Sequence, residues 1–248
     1  MRLIFMGTPE FAVPSLEALL ERGHQVLLVV TQADKPRGRG RRLAPPPVKE
    51  FALARGLPVV QPTRLKDPDF LEELRRKDPE VIVVVAYGKI LPPDVLALPK
   101  YGCINVHASL LPKYRGAAPV QRALMNGERE TGITTILMDE RMDTGDILLQ
   151  RPIAVGEDES FGSLYGRLAQ LGAEVLLETL KLLQAGNLRR RPQEHRLASF
   201  APPLTPDDEI ICWNRPAQVI SNQVRALDPF PGARTFWEGR ILKVWRAK

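Results

Sequence analysis

Five consecutive β-branched residues, Val81-Ile82-Val83-Val84-Val85, limit what this chain can fold into more than any other stretch. Successive side chains on a strand point to opposite faces, so a run that is apolar at every position must be covered on both. Such a strand belongs inside a parallel sheet with helices above and below it. The N-terminal residues agree. Leu3-Ile4-Phe5-Met6 reads as a short apolar strand, and Phe11, Leu16, Leu19 and Leu20 then follow a helical spacing that stops at Gly23. Residues 26–30 are a second apolar strand, which completes a βαβ opening. Helices are expected over 48–55 and over 69–77, the latter capped through Asp67-Pro68, with a short strand at 57–60 between them. With 248 residues, 44% of them hydrophobic, the chain can bury a proper core, expected as one large domain and a smaller one. The expected fold class is α/β with a doubly wound, mostly parallel sheet.

Composition removes several function classes. No apolar run approaches the roughly 18 residues that would span a bilayer, and the first residues are too short in apolar length for a signal peptide. Cys103 and Cys212 lie far apart without a CxxC spacing, giving neither a disulfide framework nor a zinc site. A cytoplasmic protein that uses no metal is expected. The net charge of +6 and the pI near 9.5 favour an anionic partner. Much of that charge is local: Lys35, Arg37, Arg39, Arg41 and Arg42 stand together without an acid. Pro36, Gly38, Gly40 and Pro45-Pro46-Pro47 exclude a regular helix or strand there on this reading. Connections in α/β units are usually about 2–6 residues, so a loop this long and basic is expected to contact phosphates; a plain solvated loop is the alternative.

The candidate chemistry lies between Cys103 and Leu148. A β-prone run ends in Asn105-Val106-His107, and residues two apart on a strand share a face. Asp143 stands in Met142-Asp143-Thr144-Gly145-Asp146, a turn that follows another β-rich run at 132–138. An amide, an imidazole and a carboxylate at strand ends are the groups acyl transfer needs. The bland alternatives are a structural histidine and solvated turn acids, and no second histidine stands near to complete a metal site. Ligands of open parallel sheets lie beyond the carboxyl ends of the strands, a rule that gathers Gly7, residues 88–91 and residues 105–107 around one crevice. A single glycine at the first strand–helix turn is not a dinucleotide fingerprint, and neither a phosphate-cradling GxxxxGK[ST] nor a serine elbow occurs. Further on, helices are expected at 117–125 and 161–184 and strands at 133–138 and 147–150. The leucine stripe of the long helix reads as core. Residues 187–206 lose periodicity, hold Arg189-Arg190-Arg191 and read as a linker. A helix at 217–226 and two strand-like runs, 233–237 and 240–245, complete the chain.

Asn105-x-His107-x-Ser109-Leu110-Leu111-Pro112-x-Tyr114-Arg115-Gly116, followed by Gly127, Thr131-Gly132 and Met142-Asp143-Thr144-Gly145, resembles the signature of the 10-formyltetrahydrofolate-dependent formyltransferases. Within that family, Gly7-Thr8-Pro9-Glu10-Phe11-Ala12 and Thr31-Gln32-x-Asp34-x-Pro36-x-Gly38-Arg39-Gly40 resemble the methionyl-tRNA branch. Ala86-Tyr87-Gly88 and Asn222-x-Val224-Arg225-Ala226-Leu227-x-Pro229-x-Pro231-Gly232-Ala233 do so as well. The resemblance covers essentially the whole chain. It implies a Rossmann-like catalytic domain over 1–187, a linker over 188–206 and a C-terminal OB-type barrel domain over 207–248. It implies Asn105, His107 and Asp143 as catalytic residues. The folate site would include Ser109, Leu110, Leu111 and Pro112, with Ile90 and Leu91 beside the pterin. The basic loop of Lys35, Arg37, Arg39, Arg41 and Arg42 would meet the acceptor arm of a tRNA. The substrates would be 10-formyltetrahydrofolate and initiator methionyl-tRNA, used by a monomer without metal or membrane.

Two departures from the family pattern carry expectations of their own. An OB barrel needs about five strands, and only two strand-like runs follow the linker. The barrel is therefore expected to be incomplete, with Phe236, Trp237 and Trp245 exposed. Ile211-Cys212-Trp213 replaces the acid commonly found before that tryptophan, and Cys212 is expected to be packed. The rival readings are a formyltransferase acting on an amino sugar nucleotide, a glycinamide ribonucleotide formyltransferase and a non-catalytic RNA-binding relative.

Overall fold

A computed structural model describes residues 1–37 and 42–247. The strands of the first half are β1 (Arg2–Gly7), β2 (Gln25–Val30), β3 (Lys35–Arg37), β4 (Arg42–Ala44), β5 (Val59–Val60), β6 (Val81–Val85) and β7 (Cys103–His107). They are followed by β8 (Arg115–Gly116), β9 (Glu130–Leu137) and β10 (Ile147–Ala154). Seven of these form one sheet in the order β10-β9-β7-β6-β1-β2-β5. Every neighbouring pair from β7 to β5 is parallel, and β9 runs antiparallel to both of its neighbours. The sheet is mostly parallel, as the unbroken apolar run of β6 requires.

Alternation along the central strands separates two cores. Leu3, Phe5, Val83 and Val85 face one side, where they meet α1 (Val13–Glu21), α2 (Pro47–Ala54), α5 (Pro119–Met125) and α6 (Phe161–Gln184). Ile4, Met6, Ile82 and Val84 face the other, against α3 (Pro68–Lys77) and α4 (Pro93–Leu96). Each side chain buried in this way contributes about 1.5–3 kcal/mol, so β1 and β6 anchor the sheet from both faces. Leu164, Leu168, Val175, Leu176 and Leu180 turn the apolar stripe of α6 into the first core. Helix α3 begins where Asp67 accepts a 3.0 Å hydrogen bond from the Asp69 N–H.

Three regions differ from the sequence reading. The basic stretch is not wholly irregular: β3 and β4 pair as a short antiparallel ribbon, with Pro36 opposite Leu43. A two-stranded ribbon leaves one edge of each strand free, and a proline is tolerated where its nitrogen meets no partner. Residues 188–206 are not a free tether. Arg191 exchanges backbone hydrogen bonds of 2.8 and 2.9 Å with Ile147, and β11 (Phe200–Ala201) pairs in parallel with β8. Cys212 is exposed, because it opens a surface turn that the Arg215 N–H closes onto its carbonyl.

The C-terminal residues form α7 (Ala217–Ala226) and a ribbon of β12 (Ala233–Trp237) and β13 (Arg240–Val244). A small core of Ile211, Ile220, Val224, Leu227 and Ala233 holds them together. Among the described residues these two strands pair only with each other as strands and close no barrel. Phe236, Trp237 and Trp245 are exposed. No helix among the described residues is long and apolar enough to cross a membrane.

Candidate active site

The strand order reverses between β1 and β6, and a cavity of about 530 Å³ opens at their carboxyl ends. The loop after β6, from Ala86 to Leu91, forms one wall; Phe11, Phe161 and Tyr165 line another part. Asn105, His107 and Asp143 stand in the same cavity. Ile104 and Val106 of β7 belong to the first core and Cys103 to the second, so alternation turns Asn105 and His107 toward the second face.

His107 is buried, and its Nε2 lies 2.9 Å from the carbonyl oxygen of Tyr114. A carbonyl can only accept, so Nε2 carries the hydrogen and donates it. Nδ1 is left facing Asp143 Oδ1 at 3.6 Å. The same carboxylate oxygen accepts from Asn105 Nδ2 at 3.4 Å, and Oδ2 accepts from the Gly116 N–H at 2.8 Å. Asp143 therefore meets one polar group from each of the two strand-end residues and one backbone N–H from the loop before α5. Its own backbone is left-handed, at φ 54. The turn needs Gly145, since a Cβ there would run into the Leu137 carbonyl oxygen. Asp139 braces the same turn, accepting from the Arg141 N–H at 3.0 Å and from Thr144 Oγ1. Cys103 is no nucleophile here: burial pushes its thiol up to about 12.

The other sequence-derived site residues divide. Ile90 and Leu91 line the cavity, Ile90 exposed and Leu91 buried. Ser109, Leu110, Leu111 and Pro112 lie outside the cavity wall. Ser109 Oγ donates to the Lys113 carbonyl at 2.6 Å, and Leu111 packs with Ile136 and Ile147. The chain leaving β7 is thus drawn back against β9 and β10, where its leucine is covered. Lys35 Nζ donates to Gln32 Oε1 at 2.9 Å; Arg37 and Arg42 lie on the ribbon strands, and Arg39 and Arg41 fall outside the described residues.

The Gln32 amide also donates to the Tyr87 carbonyl at 2.8 Å, which links the base of the ribbon to the cavity wall. Three groups around the centre carried no usable signal in the sequence. The Tyr114 carbonyl and Gly116 N–H are backbone atoms, and Gln193 comes from the aperiodic stretch after α6.

The formyl transferase family profile matches residues 1–180, and the profile of the formyl transferase C-terminal domain matches residues 203–248. A methionyl-tRNA formyltransferase of Pelotomaculum thermopropionicum is 58% identical over 247 residues, covering all of this chain and 79% of the relative. One of Caldanaerobacter subterraneus subsp. tengcongensis is 57% identical over 249 residues, covering all of this chain and 81% of the relative. The chain belongs to the methionyl-tRNA formyltransferase family. Solved structures share the formyltransferase fold at lower identity. A sugar N-formyltransferase from a Shewanella species superposes with a TM-score of 0.75 at 17% identity, over all of this chain and 98% of the other. HypX of Aquifex aeolicus, in complex with tetrahydrofolic acid, superposes with a TM-score of 0.71 at 20% identity, over 99% of this chain and 37% of the other. At such identities the likeness concerns the fold alone.

Proposed function

We propose that this formyltransferase moves the formyl group of 10-formyltetrahydrofolate onto the α-amine of methionine carried by initiator tRNA. The observation that carries the reading is the cluster of Asn105, His107 and Asp143 in one cavity, in a chain more than half identical to methionyl-tRNA formyltransferases along its whole length. The neutral amine attacks the formyl carbon and an oxyanion develops. The amide of Asn105 has two N–H groups; one points to Asp143, and the other is free to donate to that oxygen. His107 has only Nδ1 available for proton exchange, and a proton held there lies between the imidazole and the Asp143 carboxylate. Asp143 accepts the amine proton through water as the C–N bond forms. The oxyanion then collapses to the new carbonyl and the bond to N10 breaks, while Asp143 returns the same proton through water to N10. The product is a formamide and tetrahydrofolate, with no covalent enzyme intermediate.

The folate would lie along Ile90 and Leu91, the members of the expected folate set that line the cavity. The basic ribbon would receive the tRNA acceptor arm, with residues 1–187 as the catalytic domain and 207–248 as the C-terminal domain. The test is formyl transfer from 10-formyltetrahydrofolate to methionyl-tRNA, run beside an amino sugar nucleotide. Formylation of the tRNA is expected. Formylation of the sugar alone would overturn the reading, and inactivity on both would favour an RNA-binding relative.

A further inference from the structure

Gln193 comes from the stretch after α6, in sequence 50 residues from Asp143, yet it is buried at 6% exposure directly behind the Asp143 turn. Its Nε2 donates to the Asp143 carbonyl at 2.9 Å and to the Gly145 carbonyl at 2.7 Å. Its Oε1 accepts from Arg115 Nε at 3.2 Å and from Arg115 Nη2 at 2.6 Å. Carbonyls only accept and a guanidinium only donates, so the amide has one possible orientation, and all four of its hydrogen-bonding positions are used. Arg115 is itself buried, and His195 accepts from its Nη2 at 3.0 Å.

The same stretch holds the other partners of the catalytic cluster. Ser199 Oγ accepts from the Tyr114 N–H at 2.9 Å, and the Ser199 carbonyl accepts from the Arg115 N–H at 2.9 Å. Tyr114 supplies the carbonyl that fixes His107, and Gly116 supplies the N–H that holds Asp143 Oδ2. Arg191 pins the far end of the Asp143 turn through Ile147. Residues 191–201 therefore form a strap that grips both loops on which His107 and Asp143 depend.

We infer that Gln193 is a positioning residue for formyl transfer: it fixes the left-handed Asp143 turn so that the carboxylate faces His107 and Asn105. This rests on the proposed function and adds a residue to it. Gln193 lies outside the cavity wall, so its loss should act on the chemical step and leave substrate binding nearly intact.

The test compares wild type with Gln193→Ala and Gln193→Glu in the full chain, with steady-state constants for both substrates and the folded fraction from circular dichroism. Misplacing a reacting group by about 1 Å can cost about 10²-fold in rate. A fall in kcat of that order per folded molecule is expected in both variants, with each KM within about threefold of wild type. Glu keeps the volume and the Arg115 contact but turns an oxygen onto the two carbonyls, so a space-filling role predicts that it retains activity. A Gln193→Glu kcat within about twofold of wild type, or a loss confined to KM, would overturn the inference. If neither variant folds, Gln193→Asn keeps the amide but draws it one methylene back from the Asp143 and Gly145 carbonyls and should lower kcat at least about fivefold; an unchanged kcat there would overturn it equally. Failure of the wild-type chain to formylate methionyl-tRNA would instead sink the functional reading.

Discussion

His107 has one committed nitrogen and one available one, and that asymmetry organises the residues around it. The Tyr114 carbonyl takes Nε2, which leaves Nδ1 opposite Asp143. Asn105 shares the carboxylate, and in the proposed mechanism its other N–H donates to the oxyanion. Loss of one such donor costs roughly 10²–10³ in kcat, so Asn105→Ala should fall by that factor with the fold intact; a near-normal kcat would remove Asn105 from the mechanism. Gly145→Ala should also abolish activity, because the added methyl meets the Leu137 carbonyl oxygen and the turn must move. A Gly145→Ala chain with wild-type kcat would show that the turn tolerates displacement. The meeting of Asn105, His107 and Asp143 in one cavity was legible in the sequence because a period of two and a turn glycine are local signals. Gln193 was not, since its role depends on a contact 50 residues away in sequence.

Among the elements, the sheet was the easiest to read. Apolar runs marked β1, β2, β6 and β7, because strands covered on both faces need apolar side chains at most positions. The ribbon of β3 and β4 was missed for a physical reason. Proline and glycine argue against strands in a wide sheet, where both edges are used, and much less in a ribbon with one pairing edge. The docked stretch after α6 was missed because it is held by hydrogen bonds rather than by apolar periodicity.

One element contact carries a stability prediction. Arg122 of α5 grips Asp208, in the 3₁₀ turn Pro206–Glu209, through two hydrogen bonds of 2.6 and 2.9 Å. The Arg122 guanidinium, with help from Thr205, holds the Asp208 carboxyl at about 2, below its usual 3.8. A depressed carboxyl stabilises the fold above its ordinary value, and that stability is lost as pH falls through the lowered one. Arg122→Ala should therefore lower Tm at neutral pH, and the gap from wild type should narrow between about pH 4 and pH 2. A gap that stays constant with pH would assign the loss to packing.

For the whole molecule, charge and architecture bear on the acceptor. The net charge is +6, and five cations fall within residues 35–42. If this basic stretch meets the acceptor arm, Arg39→Ala should weaken methionyl-tRNA use more than folate binding. It should also reduce the log–log salt slope of tRNA affinity by about 0.7, the value for one contact to a single-stranded phosphate. An unchanged slope would mean that the loop is only solvated. The C-terminal unit, with its two-stranded ribbon and exposed Trp237 and Trp245, sits at the end of the same chain that passes behind Asp143.

That path decides how parts of such proteins can be exchanged. A chimaera joined at residue 187 would bring in a relative's strap along with its C-terminal unit, whereas one joined after residue 201 would keep the native strap. Only a joint downstream of Ala201 leaves the strap behind the Asp143 turn untouched, and a graft placed at the apparent boundary in the sequence would replace Gln193 and its neighbours along with the C-terminal unit.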